Sequence, residues 1–291
     1  MFSGSYVAIV TPFNDNGDVD YKILANLVER HVCEGSDGVV PCGTTGEAST
    51  LSDEEQRKVI DVVVRAAAGR ISVIAGVGSC DTKKSVAMAR HAKDCGADGV
   101  MVVTPYYSKP TQQGCIAHVV EIAKVGVPIV LYNHPGRTGT RLSAETIETM
   151  GNIPEVVAVK EACGDVNIVM DIIQSSPIAV FSGDDNLTIP FMSVGAVGVI
   201  SVVANIIPRE WSAMVHKQRE GRRDEALVDA YRYRCLCRAL VSENNPRGVK
   251  YAMALLGLCS ATTRLPITDI SDGGKSAIRI AMEDAAISVA V

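Results

Sequence analysis

The chain has no surplus of positive charge: 28 Lys and Arg stand against 33 Asp and Glu, a formal net charge of -5. With no basic cluster to offset that balance, a nucleic-acid partner is not expected. A membrane-spanning helix needs about 20 consecutive apolar residues, and no such run is present, so no membrane partner is expected either. The opening MFSGSYVAIVTPF lacks the basic stretch and small-residue cleavage site of a signal peptide, and reads as a first strand. C-x-x-C is missing as well. The nine cysteines (33, 42, 80, 95, 115, 163, 235, 237 and 259) are scattered, with Cys235 and Cys237 the one close pair. Reduced thiols in a cytoplasmic protein, mostly packed as small apolar groups, are the expectation. The five histidines never fall at H-x-x-x-H or similar spacing, so neither a metal nor a cofactor is expected.

What is present is a repeating pattern. Apolar runs recur at 6–10, 38–42, 72–77, 99–104, 128–133, 156–160, 178–183 and 198–203. They are continuous rather than alternating, as strands buried on both faces are. Amphipathic segments fill the gaps with clear caps. Asp20 opens a helix over 21–33, Ser52 and Glu55 form a capping box before 53–68, and Asp81 opens a helix that Gly96 closes after Cys95. Eight strand–helix alternations in 291 residues point to an α/β fold, a closed (β/α)₈ barrel. A dinucleotide-binding sheet is the rival architecture. Gly76-Val77-Gly78 supplies only half of its glycine fingerprint, because Asp81 stands where the last glycine belongs. After about residue 205 helices alone follow, at about 208–220, 224–240, 246–257 and 272–288. The first closes the barrel, which gives a barrel domain over 1–223 and a C-terminal helical domain over 224–291.

In such a barrel the chemistry sits where strands run into their following loops. Those junctions read CGTTGE (42–47), TPYYSKP (104–110), YNHPGRTG (132–139), KEA (160–162) and SGDD (182–185). VVAVK ends an apolar strand in a lysine, the side chain least often buried without a partner. A strand that simply surfaces at Lys160 accounts for it, and so does an amine held in a pocket as a nucleophile. Gly43-Thr44-Thr45-Gly46 places hydroxyls and backbone N–H groups on one tight loop, either a plain turn or a cradle for a carboxylate or oxyanion. Tyr132 ends another apolar strand, so its hydroxyl must find a partner. Arg137 lies among small residues, where its planar fork is free to meet a carboxylate. Asp184-Asp185 is read as a helix start, capped by Asp185 or Asn186, rather than as a magnesium site.

Taken in order, GTTGE, VTPYY, YN-P-RTG, VKEA and SGDD resemble the motifs of the pyruvate-dependent class I aldolases and lyases typified by dihydrodipicolinate synthase. The likeness runs from FSGSYVAIVTPF to ENNPRGVKYAM, essentially the whole chain. It implies a barrel with a C-terminal helical domain, assembled as a homotetramer of two tight dimers. It also implies condensation of pyruvate with aspartate semialdehyde, with no cofactor. By the same resemblance Lys160 forms the imine with pyruvate, Tyr132 shuttles protons, and Thr44 holds Tyr132. Tyr107, reaching into a neighbouring subunit, completes that relay. Thr45 binds the pyruvate carboxylate, Gly183 and Ile200 line the pocket, and Arg137 receives the carboxylate of the aldehyde substrate.

The chemistry agrees with this assignment. Imine formation needs a neutral amine, whereas a free lysine titrates near about 10.4; burial at a barrel mouth lowers that value. N-acetylneuraminate lyase and the 2-keto-3-deoxy-sugar-acid aldolases share the barrel and the lysine, but tend to lack the arginine of YN-P-x-R-T-G, which is present here as Arg137. Lysine-sensitive members of the resembling family bind L-lysine beside Tyr106 and the helix after GTTGE. In this chain Asp53, Gln56, Cys80 and Lys84 stand at the corresponding positions. Lys84 brings a like charge towards the ligand's ammonium, so weak or absent inhibition by lysine is expected.

Overall fold

A computed structural model describes residues 2–288. Eight parallel strands close on themselves in sequence order: β1 (Gly4–Ala8), β2 (Gly38–Val40), β3 (Ser72–Gly76), β4 (Gly99–Val103), β5 (Ile129–Asn133), β6 (Val156–Glu161), β7 (Ala179–Ser182) and β8 (Gly198–Ser201). β8 pairs back onto β1, with Tyr6 opposite Ile200. The helices are α1 (Tyr21–Cys33), α2 (Asp53–Ala67), α3 (Thr82–Cys95), α4 (Gln112–Ala123), α5 (Pro135–Thr138), α6 (Ala144–Gly151), α7 (Val166–Ser175), α8 (Thr188–Ser193) and α9 (Pro208–Arg219). The chain continues with α10 (Arg223–Leu240), α11 (Arg247–Leu255) and α12 (Asp272–Asp284).

The caps read from the sequence form. The Asp20 side chain accepts from the Ile23 N–H, Ser52 and Glu55 satisfy each other's backbone, and Gly96 ends α3 in the left-handed conformation. The strand runs are nearly right, but six of the eight are too long at their C-terminal ends; β5 ends at Asn133 as read and β6 runs one residue further, to Glu161. β1 stops at Ala8, and the Val10 N–H goes to Asn205 Oδ1 instead of to a neighbouring strand. β8 stops at Ser201 because Asp185 Oδ2 accepts from both the Val202 and Val203 N–H groups, at 3.0 and 2.8 Å. Side chains take over from the backbone ladder at this rim.

Side-chain alternation along each strand divides the apolar core in two. One set, including Tyr6, Val40, Ile74, Met101, Val130, Ala158, Phe181 and Ile200, fills the barrel interior. The other lies between the strands and the helices outside. Counting by twos from Ala158 sends Lys160 inward, and from Val130 sends Tyr132 inward. Their sequence neighbours, Glu161 and Asn133, therefore face outward. They pair across β5 and β6, with Asn133 Nδ2 donating to Glu161 Oε2 at 2.9 Å.

Candidate active site

A cavity of ≈ 260 Å³ opens at the C-terminal mouth of the barrel and is lined by Thr44, Thr45, Tyr132, Arg137, Lys160 and Gly183 among others. The structure thus brings together six of the eight residues singled out from the sequence. Ile200 lies in the interior layer below, packed in the same cluster as Tyr132. Tyr107 is 93 % exposed, with a φ of 70°, and does not line the cavity of its own chain.

Lys160 is 5 % exposed. Burial holds its pKa at about 8; Asp185 pulls it up and the Arg137 cation pushes it further down. Its Nζ lies 4.5 Å from the centre of the Tyr132 ring. Gly183 makes the room: a Cβ there would lie 3.2 Å from Lys160 Cε and 2.6 Å from Ala162 Cβ. Tyr132 is buried and its pKa is raised, chiefly by burial, so its phenol stays protonated at neutral pH, although the Arg137 cation and the Thr44 side chain beside it pull the value down.

Three contacts hold the Thr44–Thr45 loop in place. Thr11 Oγ1 donates to the Gly46 carbonyl at 2.7 Å, and Asn245 Nδ2 donates to Thr45 Oγ1 at 2.9 Å. The third is a wholly buried ion pair between Glu47 and Lys250 of α11, with Nζ–Oε1 at 2.5 Å. Lys250 Nζ also donates to the Thr262 carbonyl, and Glu47 Oε2 accepts from the Arg264 N–H. Cys42 and Glu47, which bracket the loop, both adopt left-handed backbone conformations that side chains other than glycine seldom take. The C-terminal helices are therefore tied directly to the loop that faces Lys160.

Arg137 sits on α5 with its side chain exposed, and among the described residues no carboxylate lies within 4.0 Å of its guanidinium. An exposed, unpaired fork over a cavity is suited to an incoming carboxylate. The Asn133 side chain steadies the segment after it, accepting from the Leu142 N–H and donating to the Leu142 carbonyl.

The helix start at SGDD differs from the sequence reading. Asp184, not Asp185 or Asn186, caps the turn, accepting from the Asn186 N–H at 2.8 Å. Asp185 is pulled away to the backbone after β8. Burial raises its pKa to about 6, and its Oδ1 has no hydrogen-bond partner. Sequence reasoning also passed over His134, which lines the cavity edge-on to Tyr132 at 5.8 Å between centroids. Burial and the nearby Arg137 and Lys160 cations keep its ring neutral, with a pKa near 4. The signal for His134 was its place between Asn133 and Pro135 in a strand-end motif.

A lysine whose pKa burial lowers to about 8, so that part of it is neutral near pH 7, a protonated phenol beside it, and a free guanidinium at the rim are the parts of an imine-forming site for an anionic carbonyl compound. The chain is similar over residues 1–285 to the dihydrodipicolinate synthetase family. It is 48% identical to 4-hydroxy-tetrahydrodipicolinate synthase of Geotalea uraniireducens, over 94% of this chain and 96% of that one. Among solved structures it is similar to dihydrodipicolinate synthase from Aquifex aeolicus, with a TM-score of 0.97, 41% identity and 99% of each chain covered. The chloride-inhibited dihydrodipicolinate synthase from Acinetobacter baumannii, solved in complex with pyruvate, matches with a TM-score of 0.97 and 41% identity over 99% of this chain and 100% of that one.

Proposed function

The chain belongs to the dihydrodipicolinate synthetase family, and from that premise we propose how its barrel mouth condenses pyruvate with L-aspartate 4-semialdehyde. The activity is that of a lyase, 4-hydroxy-tetrahydrodipicolinate synthase, at the first committed step towards diaminopimelate and lysine. The neutral Lys160 amine attacks the keto carbon of pyruvate, and loss of water leaves an imine. Protonated, that imine is an electron sink, so the methyl group gives up a proton and the resulting enamine attacks the aldehyde. Tyr132, paired with Thr44, moves the protons. The Thr44–Thr45 loop offers N–H and hydroxyl groups to the pyruvate carboxylate, and Arg137 takes the carboxylate of the second substrate. The observation that carries this reading is the buried, pKa-depressed Lys160 in contact with the Tyr132 ring.

The assembly proposed is a homotetramer of tight dimers, in which Tyr107 leaves its own chain to complete the proton relay of a neighbour. Its near-complete exposure and left-handed backbone support that role. Residues 224–291, of which 289–291 lie outside the described residues, are read as a helical domain that supplies Asn245 and Lys250 to the site loop. Nine free cysteines support a reducing compartment, the cytoplasm; among the described residues no helix is long and apolar enough to cross a membrane.

The test is a coupled synthase assay on purified protein. Turnover with pyruvate and aspartate semialdehyde, and none in cleaving sialic acid, is the expected result. The reverse pattern would move the chain to the sugar-acid lyases.

A further inference from the structure

We propose that Asp61 on α2 with His91 and Cys95 on α3 forms a site for one Zn²⁺ ion on the outside of the barrel. His91 and Cys95 are four residues apart and so share one face of α3. That face meets α2 where Asp61 projects. Asp61 Oδ1, His91 Nε2 and Cys95 Sγ all lie within 4.8 Å of one another. The triangle has edges of 2.7 Å from Sγ to Oδ1, 3.3 Å from Sγ to Nε2, and 3.0 Å from Nε2 to Oδ1.

Those edges are close to one face of a zinc tetrahedron. Zinc–ligand lengths of about 2.0–2.3 Å put tetrahedral donors roughly 3.3–3.6 Å apart. Each edge needs to open by less than about 1 Å, and two of the three by a few tenths. The donor set (one thiolate, one imidazole and one carboxylate) is the mixed S/N/O chemistry zinc accepts. The side chains of His91 and Asp61 are 20 % and 34 % exposed, which leaves the fourth position open to water.

The lone pairs at this contact face one another. Four atoms with lone pairs converge: Oδ1, Sγ, Nε2 and the Arg57 carbonyl oxygen, which lies 3.2 Å from Nε2. Among the described residues no lysine or arginine lies within 4.0 Å of the Asp61 carboxylate. A dication takes one lone pair from each of Oδ1, Nε2 and Sγ, and the thiol releases its proton to solvent as the metal binds. None of the three residues lines either of the two cavities at the barrel mouth, so the site is separate from the imine chemistry. The spacing rule applied to the sequence sought paired histidines, and H-x-x-x-C completed by a neighbouring helix escapes it.

Co²⁺, which takes zinc sites and absorbs light, is the probe. Chelator-treated full-length protein titrated with Co²⁺ should gain a near-ultraviolet thiolate-to-cobalt band that saturates at one equivalent per chain, and Zn²⁺ should bleach it. Cys95→Ser should abolish that band, and His91→Gln should weaken Co²⁺ binding at least tenfold. Both variants should keep wild-type synthase turnover, which shows that they fold. A wild-type chain with no saturable band overturns the proposal. So does a band left unchanged by either substitution, since eight other thiols are available.

Discussion

Lys160 and Tyr132 are direct cross-strand partners on the inner face of the barrel, with the amine 4.5 Å from the centre of the ring. Two opposing effects meet at this contact. The ring face favours the charged ammonium by about 0.5–2 kcal/mol. Burial disfavours it, and the depression of the pKa from 10.5 to about 8 is on the order of 3 kcal/mol. Burial wins, and the amine is a usable nucleophile near neutral pH while it still lies over the Tyr132 ring.

The pH dependence of imine formation follows with a definite sign. The neutral form is the reactive one, so the rate of imine formation with pyruvate should rise about tenfold per pH unit below pH 8 and level off above it. Arg137 helps depress the Lys160 pKa, so in Arg137→Ala the inflection should move to higher pH. Stopped-flow kinetics across the range checks both. A flat profile between pH 6 and 9 would mean that the Lys160 amine does not titrate in the rate-determining step.

Gly183→Ala tests the space around the amine. The Gly183 backbone is not in the left-handed region, so the substitution adds bulk without backbone strain. The new Cβ would lie 2.6 Å from Ala162 Cβ and 3.0 Å from the Glu161 carbonyl, and something must move. Overpacking of this kind costs about 1–3 kcal/mol of stability. A displacement of Lys160 approaching 1 Å lowers turnover on the order of 10²-fold. Thermal melts and steady-state kinetics measure the two losses; wild-type turnover in a folded variant would contradict the role given to Gly183.

Arg137→Ala should damage use of the aldehyde far more than formation of the pyruvate imine. Losing a charge-assisted contact to a substrate carboxylate costs about 1.5–3 kcal/mol. That is a fall of roughly 10- to 150-fold in kcat/KM for aspartate semialdehyde. Separate measurement of the two half-reactions decides it, because equal damage to both would make Arg137 a structural residue.

How much of this was open to a reader of the sequence depends on what kind of partner each residue has. The barrel was legible because buried parallel strands are continuous apolar runs; Lys160 and Tyr132 stood out because they break such runs at strand ends, and Arg137 because it lies among small residues in the loop that follows. The rim was not. Asp185 reaches the backbone of Val202 and Val203, and Asn205 reaches that of Val10, across 17 and 195 residues of sequence. Glu47 meets Lys250 over a still longer separation, inside a loop motif and a helix that each look self-sufficient. Local pattern carries no information about which distant backbone group a carboxylate or amide will satisfy. Only the closed barrel brings those groups together.

Feedback by lysine should be weak or absent. Lys84 Nζ lies 2.5 Å from Asp53 Oδ1, so the two charges at the expected effector position are paired with each other. The Gln56 amide is committed to the Gly76 carbonyl at 3.0 Å. A ligand ammonium approaching Lys84 meets a like charge, and Asp53 is already engaged. A dose–response curve with L-lysine checks this; strong, saturable inhibition of the wild-type protein would show that the pair yields to the ligand.

The central claim is that Lys160 is the nucleophile, and trapping the imine tests it most directly. Incubation with pyruvate followed by borohydride should add one reduced pyruvate per chain, located by peptide mass spectrometry on Lys160. Lys160→Ala should carry no adduct and lose turnover by orders of magnitude, with its circular dichroism unchanged. An adduct on any other lysine, or none on the wild-type chain, would contradict the account.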